Sequence, residues 1–303
     1  MTVRLFHRLL VAPLPFVPKP IVWQLSRRYV AGTDVDSALN VVSALNELGC
    51  KATIDVLGED STTRAEVDEA AELYHQALAG IEGRKLDCNV SVKLSDMGLR
   101  FDQALCQQVM DHLVAEAAER DNFVRIDMED SSVTSITLDI YHRLRERHDN
   151  VGTVIQACLR RSSDDVARLL DEDLANLRIC KGIYVEPEEI AWTDADDIRR
   201  SYQELLEQLF EGGATRVGIA THDPVLVQHA EALIERLGID RSRYEFQMLL
   251  GVAEALRDRL VASGHPLRVY VPFGERWHPY SMRRLRENPA IAGHIVRNLF
   301  SRQ

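Results

Sequence analysis

Eight short runs rich in valine, isoleucine and aromatic residues recur along this 303-residue chain, at 53–57, 89–94, 123–128, 153–157, 177–182, 216–221, 244–249 and 268–273, and each is followed by a stretch of helical periodicity. Successive runs end about 31 residues apart, the length of one strand-plus-helix unit. A helix between two strands returns the chain to where it started, so the strands must run parallel. The pattern predicts an α/β fold in which eight units close into one TIM-like β/α barrel, with an open doubly wound sheet as the structural alternative. The helices support this: Leu226, Ala230, Leu233, Ile234 and Leu237 form one apolar stripe, and Ile198, Tyr202, Leu205, Leu206 and Leu209 another, each suited to pack on a barrel's outside.

Residues 1–50 precede the first run and read as a helical extension, with one helix over 37–48 and another near the start; residues 51–303 then form the barrel domain. Asp223-Pro224 supplies a helix N-cap followed by a proline at the first helical position. The sixth strand therefore stops at Thr221 or His222, which puts His222 at a strand's C-terminal mouth.

Hydrophobic residues make up 46% of the chain and charged residues 27%, which provides a core and excludes disordered and fibrous classes. The formal net charge of −11 argues against a nucleic-acid partner, and an anionic ligand would need a local basic pocket. Five cysteines with no CxxC spacing argue against a disulfide framework or a structural zinc site and for a reducing cytoplasm. Residues 9–18 are apolar but short and carry three prolines, so no spanning or targeting segment is expected.

The chain lacks GxGxxG after a strand, GxxxxGK[ST], HExxH and GxSxG, which disfavours Rossmann dinucleotide binding, P-loop chemistry, zincin proteolysis and the hydrolase elbow. What remains is a crowd of ionisable residues at the predicted strand ends: Lys93, Asp127, Glu129, Asp130, Lys181, His222 and Asp223. In a barrel those ends share the face where active sites are built. Taken alone, Lys93 reads as a solvated charge sooner than as a catalytic one. The pleat puts Asp127 on one face with Arg125, so the two could equally form a structural ion pair. Glu129, Asp130 and Ser131 are suited to cap the following helix. Arg178 and Lys181, three apart, would face opposite sides of a regular strand, so Lys181 must lie beyond its end or at an irregularity.

The stretch Tyr270-Val-Pro-Phe-Gly-Glu-Arg-Trp-His-Pro-Tyr280-Ser-Met-Arg283-Arg284-Leu-Arg-Glu287-Asn-Pro289 runs from the eighth strand through a loop into a helix. Adjacent arginines there point about 100° apart and can hold one carboxylate between two forks, with Glu287 bracing Arg283 from four residues away. The alternative is a solvated helix with surface salt bridges.

Taken together, these segments resemble flavin-dependent proline dehydrogenase of the monofunctional bacterial kind, over most of residues 50–300. The motifs that carry the resemblance, in order, are Asp55-Val-Leu-Gly58-Glu59, Ser91-Val-Lys93-Leu-Ser, Ile126-Asp127-Met128-Glu129, Ile155-Gln156-Ala157, Arg178-Ile-Cys-Lys181-Gly182-Ile-Tyr184, Ala220-Thr221-His222-Asp223, Phe246-Gln247-Met248-Leu249 and the Tyr270–Pro289 stretch. The resemblance implies a distorted eightfold barrel that holds FAD noncovalently and oxidises L-proline to 1-pyrroline-5-carboxylate. It further implies that Arg283, Arg284 and Lys93 clamp the substrate carboxylate, that Glu59 pairs with Arg283, and that Tyr270 and Tyr280 line the ring. Asp127 matches the family's active-site aspartate, and Arg178 would lie near the flavin's reactive nitrogen. Met128, Gln156, Lys181, Gly182, Ile183, Thr221 and His222 match flavin-contacting positions.

The chain departs from the family where Ile183 replaces a small residue, and where Cys158 and Leu250 stand at positions commonly aromatic. A membrane quinone, met by transient contact at the inner membrane face, is the expected electron acceptor of this otherwise cytoplasmic protein. Rival readings of the same residues are a metal-dependent hydrolase using Asp127, His222 and Asp223, a Schiff-base aldolase using Lys93 or Lys181, and a noncatalytic amino-acid-binding barrel.

Overall fold

The computed structural model describes residues 19–58 and 60–287. Two helices, α1 (Lys19–Ser26) and α2 (Val35–Glu47), precede the first strand. Strands and helices then alternate: β1 (Lys51–Val56), α3 (Arg64–Arg84), β2 (Cys88–Val92), α4 (Gln103–Glu119), β3 (Val124–Ile126), α5 (Thr134–Arg145), β4 (Val151–Gln156), α6 (Ser162–Asp171), β5 (Asn176–Cys180) and α7 (Ala195–Glu211). The series continues with β6 (Arg216–Ala220), α8 (Pro224–Leu237), β7 (Tyr244–Leu249), α9 (Glu254–Ala262), β8 (Leu267–Phe273) and α10 (Trp277–Glu287). The eight strands close in sequence order, with β1 parallel to β8 from Lys51 opposite Arg268 to Val56 opposite Phe273. Closure excludes the doubly wound sheet.

The expected helix over 37–48 is α2, and Ala38, Leu39, Val42 and Leu45 bury its apolar face in the same core as the strands. The stripe expected on α8 is buried at Leu226, Ala230, Leu233 and Ile234, and Asp223 caps that helix by accepting from the Val225 amide at 3.1 Å. Burial of such side chains stabilises by about 1.5–3 kcal/mol each, and this is the term that clamps the helices onto the barrel.

The apolar core lies between the strands and the helices. Ile54, Val90, Val124, Ile126, Leu177, Ile179, Val217, Ile219, Phe246 and Val269 point outward and are buried there. The alternate residues point into the barrel, where Thr53, Asp55, Ser91, Arg125, Arg178, Glu245, Gln247 and Arg268 form a buried interior that is unusually polar for this architecture. Charges so placed must be paired or hydrogen-bonded. Glu245 accepts from Arg268 Nε at 2.6 Å and from Arg216 at 2.9 Å.

Two expectations are corrected here. Arg125 makes no ion pair with Asp127. It donates to the carbonyls of Thr153 and Asn176 at 2.9 and 2.7 Å and to Asn176 Oδ1 at 2.8 Å, in space left by Gly152, whose added Cβ would stand 2.4 Å from Arg125 Nη1. Arg125 sits one layer below Asp127, within reach of strand carbonyls but not of that carboxylate. The Glu129–Ser131 segment does not cap α5, whose N-cap is Val133 with no side-chain bond. Glu129 instead accepts from Ser95 N at 2.9 Å and from the Ser95 hydroxyl, Asp130 accepts from Ser132 N at 3.0 Å and pairs with Arg100, and Ser131 donates to Glu186. The segment is tied to neighbouring loops because α5 starts several residues later.

Candidate active site

A cavity of about 610 Å³ opens at the C-terminal ends of the strands. Fourteen residues expected from the sequence line it together: Lys93, Asp127, Met128, Gln156, Arg178, Lys181, Gly182, Ile183, Thr221, His222, Tyr270, Tyr280, Arg283 and Arg284. Lys93, Asp127, Lys181 and Thr221 each stand one residue beyond a strand end, where a side chain leaves the ladder and turns into the mouth. Glu59 lies outside the described residues. Glu287 ends α10, and its side chain is likewise outside the description.

Asp127 is the centre of the floor. Its Oδ1 accepts from Arg178 Nη1 at 2.5 Å and from Ser91 Oγ at 2.8 Å, and its Oδ2 accepts from the Tyr270 hydroxyl at 2.6 Å. Burial pushes Asp127 up, but the charges of Arg178 and Lys93 and the bonds from Tyr270 and Ser91 outweigh it, so the carboxyl titrates below its usual range. The Tyr270 phenol is driven well above its ordinary value by burial and the adjacent Asp127 charge, and remains a donor.

Beside it, Lys93 Nζ meets Asp55 Oδ1 at 2.7 Å. Burial dominates at Asp55, and with Asp127 nearby it outweighs the attraction of Lys93, raising the carboxyl to about 6. The two carboxylates of the floor are therefore driven apart in proton affinity.

At the rim, Asp223 accepts from Lys181 Nζ at 2.5 Å and from Arg199 Nε at 2.8 Å. Burial opposes these bonds but loses, and Asp223 falls to about 2. β5 ends at Cys180, and Gly182 then adopts φ +95, which turns the chain so that Lys181 joins Arg178 on the cavity. Lys181 thus lies beyond its strand, as the spacing required. A Cβ on Gly182 would come within 2.2 Å of Cys158 Sγ, so glycine is needed here for contact as well as conformation. His222 Nε2 accepts from the Leu249 amide at 2.9 Å, which leaves the ring proton on Nδ1. Burial, then the charge of Arg284, lowers the imidazole to about 4, so a neutral ring faces the cavity.

The far wall comes from α10. Tyr280, Arg283 and Arg284 are spaced to share one helical face, and the two guanidinium carbons stand 5.7 and 5.4 Å from the Tyr280 ring centroid. The surface-helix alternative fails, because Tyr280 and Arg284 are buried. α10 is seated by Val22, Tyr29, Val30 and Leu57 and by Trp23, whose ring lies 4.6 Å from that of Trp277.

The cavity is lined by six cations, Lys93, Arg178, Lys181, Arg199, Arg283 and Arg284, against three carboxylates, Asp55, Asp127 and Asp223. An acidic protein has reversed its sign where a ligand would enter. Arg199 was not singled out from the sequence, and Asp55 and Gln247 stood there as members of motifs with no role assigned. Asp55 and Gln247 carried a signal, a polar residue at an inward position of a strand; Arg199 lies on a helix and carried none. Of the departures, Ile183 is 54% exposed on the cavity rim, Cys158 is buried under Gly182, and Leu250 packs partly buried on the core.

The rival chemistries lose their footing in these contacts. Asp127, His222 and Asp223 are spent on separate partners, and no group of three or more metal-ligating side chains occurs among the described residues. Lys93 and Lys181 are both committed to ion pairs, whereas a Schiff base needs a neutral amine.

A closed parallel barrel with convergent charged groups at its C-terminal mouth is the layout of a β/α-barrel enzyme. A family model described as Proline dehydrogenase matches residues 38–297, and the chain belongs to that family. It is 36% identical over 278 residues to Proline dehydrogenase 1 of Bacillus subtilis (strain 168), covering 91% of each chain. It is 33% identical over 283 residues to Proline dehydrogenase of Deinococcus radiodurans, covering 92% of this chain and 91% of that one. Among solved structures, proline utilization A from Bdellovibrio bacteriovorus inactivated by N-propargylglycine superposes with a TM-score of 0.84 at 23% identity, over 95% of this chain and 37% of that longer one, a likeness of fold.

Proposed function

We propose that this protein is an FAD-dependent proline dehydrogenase that oxidises L-proline to 1-pyrroline-5-carboxylate, the first step of proline catabolism to glutamate. Membership of the family makes it an oxidoreductase acting on proline. The observation that carries the site assignment is the reversal of charge in the cavity, where six cations outnumber three carboxylates.

The residues present fit a flavin nucleotide. The glycine surface at Gly182, the amide of Gln156, the Nδ1–H of neutral His222 and the cations Arg178 and Lys181 offer donors to an anionic, aromatic ligand, and Met128, Ile183 and Thr221 complete the lining. When bound, the flavin supplies the hydride acceptor.

The protein's own groups do the rest. Arg283 and Arg284, with Lys93, present cationic forks to the substrate carboxylate and fix its orientation. Tyr270 and Tyr280 close around the ring. Asp127 stays anionic at neutral pH and holds both Arg178 and the Tyr270 hydroxyl in place. The substrate amine must lose a proton before hydride can leave, and Asp55 has the higher proton affinity of the two floor carboxylates. The electrons pass on to a membrane quinone through transient contact at the membrane surface; no helix among the described residues is long and apolar enough to cross a membrane.

Anaerobic titration of the purified protein with L-proline tests this reading. A yellow protein whose flavin bleaches in proportion to added proline is expected. Colourless protein that cannot be reconstituted with FAD would overturn it.

A further inference from the structure

The guanidinium of Arg178 is held on three sides. Its Nη1 and Nη2 face Asp127 and Ser91 on the cavity side, at 2.5 and 3.2 Å, while its Nε donates inward to Gln247 Oε1 at 2.5 Å. Gln247 then donates through Nε2 to Glu245 Oε1 at 2.7 Å, and Glu245 is gripped from below by Arg268 at 2.6 Å and Arg216 at 2.9 Å. One unbroken series of buried polar contacts therefore runs from the cavity floor to the opposite end of the barrel.

Gln247 has only one orientation in this series. The Arg178 Nε–H can only donate, so it requires the amide oxygen, and a Glu245 carboxylate can only accept, so it requires the amide nitrogen. Glu245 remains a carboxylate throughout the physiological range, because Arg268 and Arg216 overcome the effect of burial and lower it to about 2. The fold also makes room for the link. Gly218 lies in register between Arg178 on β5 and Glu245 on β7, and a Cβ there would stand 2.7 Å from Gln247 Nε2 and 3.0 Å from its Cδ.

We infer that Gln247 is a positioning residue that fixes the Arg178 guanidinium beneath the cofactor, with its amide polarity imposed from the far end of the barrel by Glu245 and Arg268. This rests on the flavin reading of the cavity. Without Gln247 the guanidinium keeps anchors on its outer edge alone, and its charge is no longer held in one place. Reduced flavin is the more anionic state, so a loosened cation beside it disfavours reduction.

The test compares wild type, Gln247→Met, Gln247→Glu and Gly218→Ala. Two quantities are read: the flavin midpoint potential of the holoenzyme, and the solvent exchange rate of the Arg178 Nε–H by NMR in protein without cofactor, assigned with Arg178→Lys. Gln247→Met should speed that exchange at least tenfold and lower the equilibrium constant for flavin reduction about tenfold, about 30 mV for a two-electron couple. It should lower kcat with little change in KM for proline. Gln247→Glu keeps the acceptor for the Arg178 Nε–H and, as a protonated acid facing the Glu245 carboxylate, keeps the donor as well, so exchange should stay slow, while Gly218→Ala should mimic the methionine variant by displacing the amide. If Gln247→Met fails to fold, the contrast between Gln247→Glu and Gly218→Ala decides the matter. Exchange within twofold of wild type in Gln247→Met, or in both other variants, overturns the inference. A wild-type protein that binds no flavin would overturn the proposed function instead, since the exchange measurement does not require the cofactor.

Discussion

Arg178 Nη1 and Asp127 Oδ1 stand 2.5 Å apart across the barrel mouth, with β4 lying between the strands that deliver them. Both side chains are nearly inaccessible, at 8% and 12%, so each is the main compensation for the other's buried charge. Removing one partner strands the other. Asp127→Ala and Arg178→Met are each expected to lower unfolding free energy by about 3–5 kcal/mol, while the double variant should lose about 1–3 kcal/mol less than the sum. Urea titrations of the three proteins check this, and strict additivity would mean the pair is not coupled.

Tyr270 shares Asp127 with Arg178 and presents its ring to the cavity. Replacement by Ser frees space in the cavity, where the proposed substrate ring would sit, and supplies a hydroxyl. Hydroxyproline should then gain on proline by about 1–2 kcal/mol in relative kcat/KM, with weaker affinity for proline itself. A ratio that does not move would place Tyr270 outside the substrate's surroundings.

The α10 arginines are expected to recognise the carboxylate. Arg283→Met and Arg284→Met should each cost about 2–4 kcal/mol of transition-state stabilisation while the flavin spectrum is kept. Proline compared with prolinamide identifies the cause. Wild type should discriminate strongly and the variants weakly; unchanged kinetics in either variant would remove that arginine from the clamp.

Gly182 combines a positive φ with contact to Cys158. Gly182→Ala should destabilise by about 2–4 kcal/mol, part from backbone strain and part from the clash with Sγ. Adding Cys158→Ala removes the clash but leaves the strain, so the pair should couple favourably by at least about 1 kcal/mol. Thermal or urea unfolding of the cycle measures it, and an uncoupled result would show that the loop moves aside.

His222 gives the fold an acid-sensitive point. Its folded value of about 4 lies below the unfolded value of about 6.5, so the unfolded chain takes the proton first as pH falls. Stability is fully present above about pH 6.5 and is lost progressively down to about pH 4. Between pH 7.5 and 5 the loss from this residue should be about 1–2 kcal/mol, discounted for its partial exposure, and His222→Gln should lack that increment. Equal pH slopes in the two proteins would show that the imidazole is not held neutral.

Periodicity by itself determined the element order, because a strand alternates every two residues and a helix returns every three or four, and neither pattern depends on distant partners. The same local rule placed Asp127, Lys93 and His222 at strand ends, and the spacing of Tyr280, Arg283 and Arg284 put them on one helical face. Pairing is a different matter. Whether Asp127 would meet Arg125, two residues away, or Arg178, on another strand, depends on the stagger of strands in the closed barrel. That stagger drops Arg125 a layer below and brings Arg178 across the mouth. The roles of Asp55 and Gln247 were equally hidden, though both stand in recognisable motifs, since an inward polar residue acquires a role only from the charges that closure gathers around it. Buried electrostatics depend on distances of a few ångströms between residues far apart in the chain, so they are decided by the tertiary structure alone.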